Sequence, residues 1–337
     1  MSGQRVLPAL RATGYVRHTL HADDRLWVEK NCYVDVVIEL IHALGLEPLA
    51  AMGFCAAVDF EGDNFTFFKP DHEELRQLYG VDFQEMNVWR PLLEHAQEHL
   101  GAGKFISTEA NSFWLPDTSG TDYRRNHVKT TIIIADVDAA ARQLGYFHNA
   151  GYHELGGEDF ERMFRVGAEP DPTFLPLFAE IVRVDRLKRL PRAALAAIAL
   201  ERLAVHTARC PTENPVLRWG ARFAGELPQL QERGLPYYHA WAFATTRQLG
   251  ASMELLAAHL RWLAEAQTSA ARTSTALTAA ADAFQRLSEG AKTFILKAAR
   301  AVNSRKPLDA RATFDEMATA WEQGQGALAL GVATLGS

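Results

Sequence analysis

The sequence predicts an α+β half followed by an all-helical half. Between about residues 50 and 165, short runs rich in Thr, Ile, Val, Phe and Tyr alternate with short helical segments. Beyond the proline-rich stretch AEPDPTFLPLF, almost every segment carries alanine and leucine at helical spacing. A chain of 337 residues is also longer than one domain usually is. We therefore predict two domains, at residues 1–172 and 173–337.

The first predicted helix begins at Cys32, in EKNCYVDVVIELIHALGL. Gly45 is a natural stop for this helix. Apolar residues follow the i, i+3, i+4, i+7 spacing of one helix face: Tyr33, Val36, Val37, Leu40, Ile41 and Leu44.

The strands and helices that follow are marked by their borders. Five runs with Gly, Pro or Asp at their ends are typical of strands: NFTFFKP, VDFQEMNVW, KFISTEANSFWLPD, HVKTTIIIADVD and GYFHNAGYHEL. Between them, DHEELRQLYG and RPLLEHAQEHLGAG are typical of helices. Asp71 suits an N-cap and Pro91 suits a first helical turn.

The second half predicts a helical bundle packed by its apolar faces. Its breaks are expected at Gly234-Leu235-Pro236 and at Lys306-Pro307. The predicted helical runs are 191–209, 214–233, 237–266, 272–303 and 311–323.

Composition argues against several classes of protein. A net charge of -6 and a pI near 6.1 disfavour nucleic-acid binding by a global basic field. No apolar run has the length of a signal-peptide core or a membrane span, so we expect a cytoplasmic protein without a membrane partner. Three cysteines at 32, 55 and 210, with no CxxC pair, fit neither a disulfide framework nor a cysteine zinc site.

The sequence allows two interpretations of Cys32. Unpaired cysteines are mostly small, buried and inert. At a helix N-terminus, however, the unpaired N–H groups and the helix dipole favour a thiolate, which is the form that attacks carbonyl carbon. Such a nucleophile needs a base and a third group that orients the base.

The best candidate base is His127, which stands before the most apolar strand of the protein. The third group would lie on the next strand, where Asn149 has His148 beside it. Asp136 and Asp138 are weaker rivals because they sit at the far end of the strand that follows His127. This order of Cys, His and Asn is the arrangement of papain-like cysteine enzymes.

The chain resembles a known family along essentially its whole length. NCYVD, FTFFKP, WLPDTSGTDYRRNHVKTTI and YFHNAGY, together with FATTRQLGASMELLAAHLRWL and AKTFILKAARAVNS, are similar to a bacterial family of unassigned function. The front half also resembles, more distantly, the N-terminal domain of butirosin biosynthesis protein H. That domain is a papain-like acyltransferase that takes an acyl group from a carrier-protein thioester to an amine.

The resemblance implies a papain-like catalytic domain with a role for each matching residue. Cys32 would be the nucleophile, His127 the general base and acid, and Asn149 the orienter, where relatives more often have Asp. The family also resembles proteins found beside amino acid:carrier-protein ligases, which implies an aminoacylated acyl carrier protein as donor. The phosphopantetheine arm of that carrier would present the thioester, with no cofactor bound to the protein itself.

The oxyanion hole is harder to place. Papain-like enzymes often use a Gln ahead of the Cys, and the segment DDRLWVEKN contains none. Asn31 and the backbone N–H of Cys32 are the substitutes on geometric grounds. Asn31 serves equally well as an N-cap.

Two further clusters of side chains, one of basic residues and one of histidines, each allow more than one interpretation. A basic run near the domain junction is either a solvated helix start or a docking face for the acidic carrier, together with Arg124 and Arg125. Its members are Arg183, Arg186, Lys188, Arg189 and Arg192. His95 and His99 lie one helical turn apart without an evident third ligand, so we expect no metal.

The expected function is a cysteine-dependent acyl or aminoacyl transferase with an amine or hydroxyl acceptor on a small molecule or peptide. Two alternatives remain open. A cysteine hydrolase or amidase would use the same residues and admit water, whereas a non-catalytic carrier-binding scaffold would not need Cys32.

Overall fold

The computed structural model describes residues 3–169, 171, 173–266 and 271–333. They form two compact units. The sheet unit comprises the residues up to Ala22, Asn31–Glu47 and Leu75–Arg189. The helical unit comprises Asp23–Lys30, Pro48–Glu74 and the chain from Leu190 onward. An antiparallel sheet with helices precedes an all-helical region, so the predicted α+β arrangement is confirmed.

The first part of the chain alternates strands and helices as the sequence predicts. Its elements are β1 (Gln4–Arg5), α1 (Cys32–Ala43), α2 (His72–Tyr79), β2 (Asp82–Glu85), α3 (Leu92–Gly101), β3 (Phe105–Asn111), β4 (Lys129–Asp138), β5 (Gln143–His148), β6 (Gly151–Gly156), α4 (Glu158–Phe164) and β7 (Ala179–Arg183).

Within the described residues the strands form one seven-stranded sheet of order β2-β7-β3-β4-β5-β6, and β1 pairs with β4. Its pairs are antiparallel, and β3 meets β4 with Glu109 opposite Thr131. The run GYFHNAGYHEL forms the hairpin of β5 and β6. The run NFTFFKP contributes only an isolated bridge, between Phe65 and Phe60, whereas β7 is an additional strand that its short, mixed sequence did not predict.

Side chains that alternate along β4 divide the sheet into two faces. Ile132 and Ile134 belong to a buried cluster that also includes Leu100 of α3 and Phe160 of α4. Thr131 and its alternate neighbours point to the other face, where α1 packs on β4, β5 and β6. The start of α1 is thereby held against the start of β4.

The end of α1 is fixed by a glycine and an arginine. Gly45 has φ +71, which ends the helix where the sequence predicted a stop. The guanidinium of Arg189 donates to the carbonyl oxygens of Leu44 at 3.0 Å and of Gly45 at 3.4 Å. A cation on the last carbonyls of a helix stabilises that end, so Arg189 acts as a C-terminal cap.

The second part of the chain is helical, as predicted. Its helices are α5 (Arg192–Thr207), α6 (Pro215–Ala242), α7 (Gln248–Ala266), α8 (Ala271–Ser304) and α9 (Arg311–Ala333). The predicted break within α6 is present as a kink at Gly234, where φ is 78 and ψ is -174. A core of aromatic rings joins α6, α8 and α9 through Trp219, Phe294 and Phe314, with ring centroids 4.8 to 5.1 Å apart.

None of the helices in the described part of the chain has the length and apolar character needed to cross a membrane. The predicted domain boundary between residues 172 and 173 falls beside Pro170 and Pro172, which lie outside the described residues. That boundary stays a prediction.

Gly80 offers a test of how the sheet unit is packed. It has φ +70, and an added Cβ would meet the carbonyl oxygen of Arg186 and approach the Cα of Leu187 at 3.3 Å. Gly103 has a similar φ of +73 with nothing within 4 Å of an added Cβ. Gly103→Ala should therefore cost only backbone strain, about 1 kcal/mol.

Gly80→Ala adds the steric clash to that strain, and we expect it to cost about 3 kcal/mol or more. Denaturant unfolding of both variants, followed by circular dichroism, measures the difference. Equal midpoints for Gly80→Ala and Gly103→Ala would contradict the close approach of Arg186 to Gly80.

Candidate active site

Cys32 is the first residue of α1, and Asn31 is the N-cap. The Asn31 side-chain oxygen accepts from the backbone N–H of Tyr33 at 3.2 Å and of Val34 at 3.0 Å. The Asn31 carbonyl accepts from Asp35 N–H at 3.0 Å. The backbone N–H of Cys32 has no acceptor within the described residues. The hydrogen bonds thus describe Asn31 as a helix cap, and its oxyanion role stays a prediction.

The three cysteines have different surroundings. Cys32 is partly exposed, and its Sγ lies 3.6 Å from the Thr131 hydroxyl oxygen. Cys55 is fully buried, and burial raises its pKa well above the ordinary thiol value. Burial also raises the pKa of Cys210, to about 11. Thiolate chemistry near neutral pH is therefore disfavoured at Cys55 and Cys210.

His127 lies at the surface and makes no hydrogen bond to the Cys32 thiol within the described residues. Its ring stacks on Phe113 with centroids 4.3 Å apart, and its Nδ1 lies 2.8 Å from the Asn111 side-chain nitrogen. The Asn111 side-chain oxygen accepts from Phe113 N–H, so the amide is oriented to donate to Nδ1. A neutral His127 would then carry its proton on Nε2.

His127 also precedes Thr131 by four residues. Four residues of fully extended chain span about 13 Å between Cα atoms. The Cys32 thiol bonds to Thr131, and no hydrogen bond joins His127 to that thiol within the described residues. Its assignment as the base stays a prediction.

Asn149 occupies the turn between β5 and β6. It follows His148 in a two-residue connection closed by the pair His148 and Gly151, and its φ is +46. Asn tolerates this left-handed conformation better than most residues, which explains its identity at this position. The pairing of β5 with β4 runs to Phe147 opposite Ile133 and stops before Asn149. The role of Asn149 as orienter stays a prediction.

His148 belongs to a buried network that the sequence analysis did not assemble. Its Nδ1 lies 2.5 Å from Asp117 Oδ2, and its Nε2 lies 2.8 Å from the Thr130 hydroxyl. The Tyr146 hydroxyl donates to the other oxygen of Asp117 at 2.5 Å. Burial opposes ionisation of Asp117, yet hydrogen bonding and charge from His148 hold the pKa of that carboxyl below its ordinary value.

This Asp117 network lies on the opposite face of the sheet from Cys32, because Thr130 and Thr131 are neighbours on one strand and point to opposite faces. Asp136, the other rival for the third role, accepts a hydrogen bond from Arg5 Nε at 2.7 Å. Within the described residues, neither His148 nor Asp136 makes a hydrogen bond or ion pair with His127 or Cys32.

A second buried network runs along α1. The His21 ring lies between two carboxylates, with Nε2 at 2.9 Å from Asp35 and Nδ1 beside Glu39. Tyr15 donates its hydroxyl to Glu39 at 2.6 Å. Burial opposes ionisation of Glu39, but the hydrogen bond and charge of His21 hold its pKa below the ordinary value. This network ties the N-terminal segment to the helix that Cys32 begins.

The predicted docking residues differ in how firmly they are engaged. Arg183 is paired with Asp82. Arg124 contacts Asp159 at 2.6 Å and the Trp114 ring at 4.6 Å.

The remaining basic residues also differ in whether protein groups already bind them. Arg189 caps α1, Lys188 donates to the Gln77 carbonyl at 3.2 Å, and Arg192 pairs with Glu265 at 2.8 Å. Arg186 is 90% exposed, with Asp185 at 3.9 Å. Arg125 is exposed and makes no side-chain hydrogen bond within the described residues. Arg125 and Arg186 are thus the two members most available to a partner.

His95 and His99 lie on α3 with nearly parallel rings, 6.2 Å apart. Among the residues that the structure describes, no group of three or more His, Cys, Asp or Glu side chains is arranged to hold a metal ion.

Asp117→Asn tests the Asp117 network through its pH dependence. Folding lowers the pKa of this carboxyl from its value in the unfolded chain, which is about 3.9. Ionisation therefore stabilises the folded state at pH values above about 3.9, and this stabilisation is lost as the pH falls through the pKa of the folded state. We expect Asp117→Asn to lower the free energy of unfolding by about 2 kcal/mol at pH 7. The difference in free energy of unfolding between the wild type and the variant should decrease between pH 5 and pH 3.

Tyr146→Phe is the matched control. It removes a neutral donor to the same carboxyl and should lower the free energy of unfolding by less than Asp117→Asn does. Urea unfolding across this pH range measures both variants. A difference for Asp117→Asn that is the same at pH 7 and pH 3 would show that the ionised carboxylate is not what stabilises this network.

Comparison with known proteins covers both halves of the chain. Residues 16–184 match the DUF1839 N-terminal domain. Residues 192–330 match the DUF1839 C-terminal domain. No curated protein matches the chain. Since the two matches together span most of its length, the chain belongs to the DUF1839 family.

Proposed function

We propose that the protein is a cysteine-dependent acyl or aminoacyl transferase in which Cys32 takes an acyl group from a thioester. One observation carries the proposal. Cys32 combines a partly exposed thiol with a backbone N–H that has no acceptor within the described residues, at the first position of a 12-residue helix. The nucleophile and a donor for the oxyanion would then come from the same residue.

The chemistry has two steps. The Cys32 sulfur attacks the thioester carbonyl, and the oxyanion of the tetrahedral intermediate accepts a hydrogen bond from the Cys32 N–H. The carbon–sulfur bond of the donor then breaks, and the proton lost by Cys32 ends on the departing thiol. In the second step an amine or hydroxyl attacks the Cys32 thioester, loses its own proton and releases the Cys32 thiol.

The surroundings of the thiol favour a thioester donor over an amide. A thiolate leaves without being protonated, whereas the amine of an amide must receive a proton from a nearby acid as it departs. Within the described residues, the Cys32 thiol hydrogen-bonds to the Thr131 hydroxyl, which is a poor acid, and to no His, Asp or Glu side chain. Transfer from a thioester is also close to isoenergetic, because one thiolate replaces another. Hydrolase and amidase activity are therefore the less favoured alternatives.

The roles of His127 and Asn149 rest on the resemblance to the N-terminal domain of butirosin biosynthesis protein H. Within the proposal, His127 is the general base and acid, and Asn149 orients it. Because no hydrogen bond joins His127 to the Cys32 thiol within the described residues, these roles would require the imidazole to approach the thiol when substrate binds. The same resemblance supports an aminoacylated carrier protein as donor and an amine or hydroxyl on a small molecule or peptide as acceptor.

The experiment is to incubate the protein with aminoacyl-loaded carrier, or with the N-acetylcysteamine thioester of the same amino acid, and to map the adduct by peptide mass spectrometry. We expect one aminoacyl group on Cys32, none in Cys32→Ala, and an unchanged adduct in Cys210→Ala. Turnover without an acceptor would favour the hydrolase, and no adduct with either donor would favour the non-catalytic scaffold.

The same assay tests docking with Arg186→Glu. Charge steering acts on the association rate and weakens with salt. At low ionic strength the variant should slow acylation by the loaded carrier several-fold, while acylation by the N-acetylcysteamine thioester stays unchanged. Arg189 is unsuitable for this test because it caps α1. If both donors slow equally, Arg186 is structural and Arg125 becomes the next candidate.

A further inference from the structure

A cavity of about 790 Å³ opens in the sheet unit at the ends of β3 and β4. Thr108, Ala110 and Ile132 line it, and two of these residues, Ala110 and Ile132, also belong to the buried cluster with α3 and α4. Thr131, which contacts Cys32, is not among its lining residues. Residues of α3 and α4 also line the cavity, so most of it lies on the face of the sheet opposite the thiol, although Glu109 and Lys129 line it as well. Its volume is in the range that holds a small organic ligand.

The cavity shares part of its lining with a second cavity of about 360 Å³. The second cavity extends to Trp89 and Arg90. The residues that line both are Leu92, Met163, Arg165, Ala168, Phe174 and Leu177. Most of these side chains are apolar, so the shared wall suits the body of an apolar chain or ring.

Cationic donors border this apolar wall, together with the carboxylates of Glu109, Glu161, Glu169 and Asp171. Arg165 stacks on the Phe174 ring at 3.9 Å, and its nearest carboxylate oxygen, on Asp171, is 3.8 Å away. Arg162 lies 3.6 Å from Glu158. Neither guanidinium makes a side-chain hydrogen bond to a protein acceptor within the described part of the chain. Both therefore retain donors for an incoming anion.

Arg90 supplies an independent sign of a ligand. Its Nε–H is buried and has no hydrogen-bond partner among the residues that the structure describes, although its terminal nitrogen pairs with Glu98. A buried donor without an acceptor destabilises the fold, because the group has lost its hydrogen bonds to water. An acceptor on a ligand would remove this cost. At the other end of the larger cavity, His127 offers an imidazole whose Nε2 has no partner within the described residues.

We propose that these joined cavities bind an organic anion with an apolar body, such as a medium-chain carboxylate. The carboxylate would accept hydrogen bonds from the guanidinium groups of Arg165 and Arg90, and the chain would lie along Leu92, Phe174 and Leu177. The larger cavity includes His127, which the proposed acyl transfer also uses, but the carboxylate is held by Arg165 and Arg90, so binding of the anion does not depend on Cys32.

Calorimetric titration of the full chain with decanoate tests the proposal. We expect one molecule bound, at least tenfold weaker binding of decanol, which lacks the charge, and no measurable binding of acetate, which lacks the chain. Decyl phosphate in a parallel titration identifies which anionic group the arginines prefer. Cys32→Ala should bind decanoate like the wild type, which separates this result from the proposed function.

Variants locate the site. Arg165→Gln should weaken decanoate binding about tenfold, and Ala168→Trp should abolish it by filling the shared wall. Arg186→Gln is the matched control, an exposed arginine of the same unit that should bind unchanged. Absence of decanoate binding, equal binding of decanoate and decanol, or full binding by Ala168→Trp would each overturn the proposal.

Discussion

The pairing of β4 with both β3 and β5 is the constraint on which the candidate sites depend. Because side chains alternate along a strand, consecutive residues of β4 must serve opposite faces of the sheet. Thr130 bonds to the His148 ring on one face, and Thr131 contacts the Cys32 thiol on the other. The strand thus separates a buried acid–base network from a partly exposed nucleophile.

The helix that carries Cys32 is held along its whole length. Asn31 caps its first turn, the network of His21, Asp35 and Glu39 holds its middle, and Arg189 caps its end. Each contact joins α1 to a segment distant in sequence or to its own flank. The position of the thiol over β4 is therefore determined by ionic and polar contacts as well as by apolar packing.

Local signals predicted much of the fold. Apolar periodicity gave the helix that starts at Cys32, glycine placed its end, and the glycine and proline pair marked the kink in α6. β7 was not predicted, because a five-residue strand carries too few residues to show a period. The run before β2 formed only a bridge, which shows that strand propensity alone does not decide pairing.

The candidate site was less accessible from sequence. Asp117 meets His148 across 31 residues, and no local pattern specifies such a contact. Asn149 was expected on a strand, but the hairpin places it in the turn, where its tolerance of positive φ accounts for it. The position of His127 depends on the long connection between β3 and β4, in which Phe113 and Asn111 hold the ring. Only Cys32 could be located from periodicity.

The most direct measurement of the central claim is site-resolved labelling with iodoacetamide at pH 7, with and without prior incubation with an aminoacyl thioester. The account predicts that Cys32 is labelled before Cys55 and Cys210, since burial raises the pKa of both of those thiols. Prior incubation should remove the labelling of Cys32 alone. Labelling of Cys210 as fast as Cys32, or no protection of Cys32 by the thioester, would contradict the account.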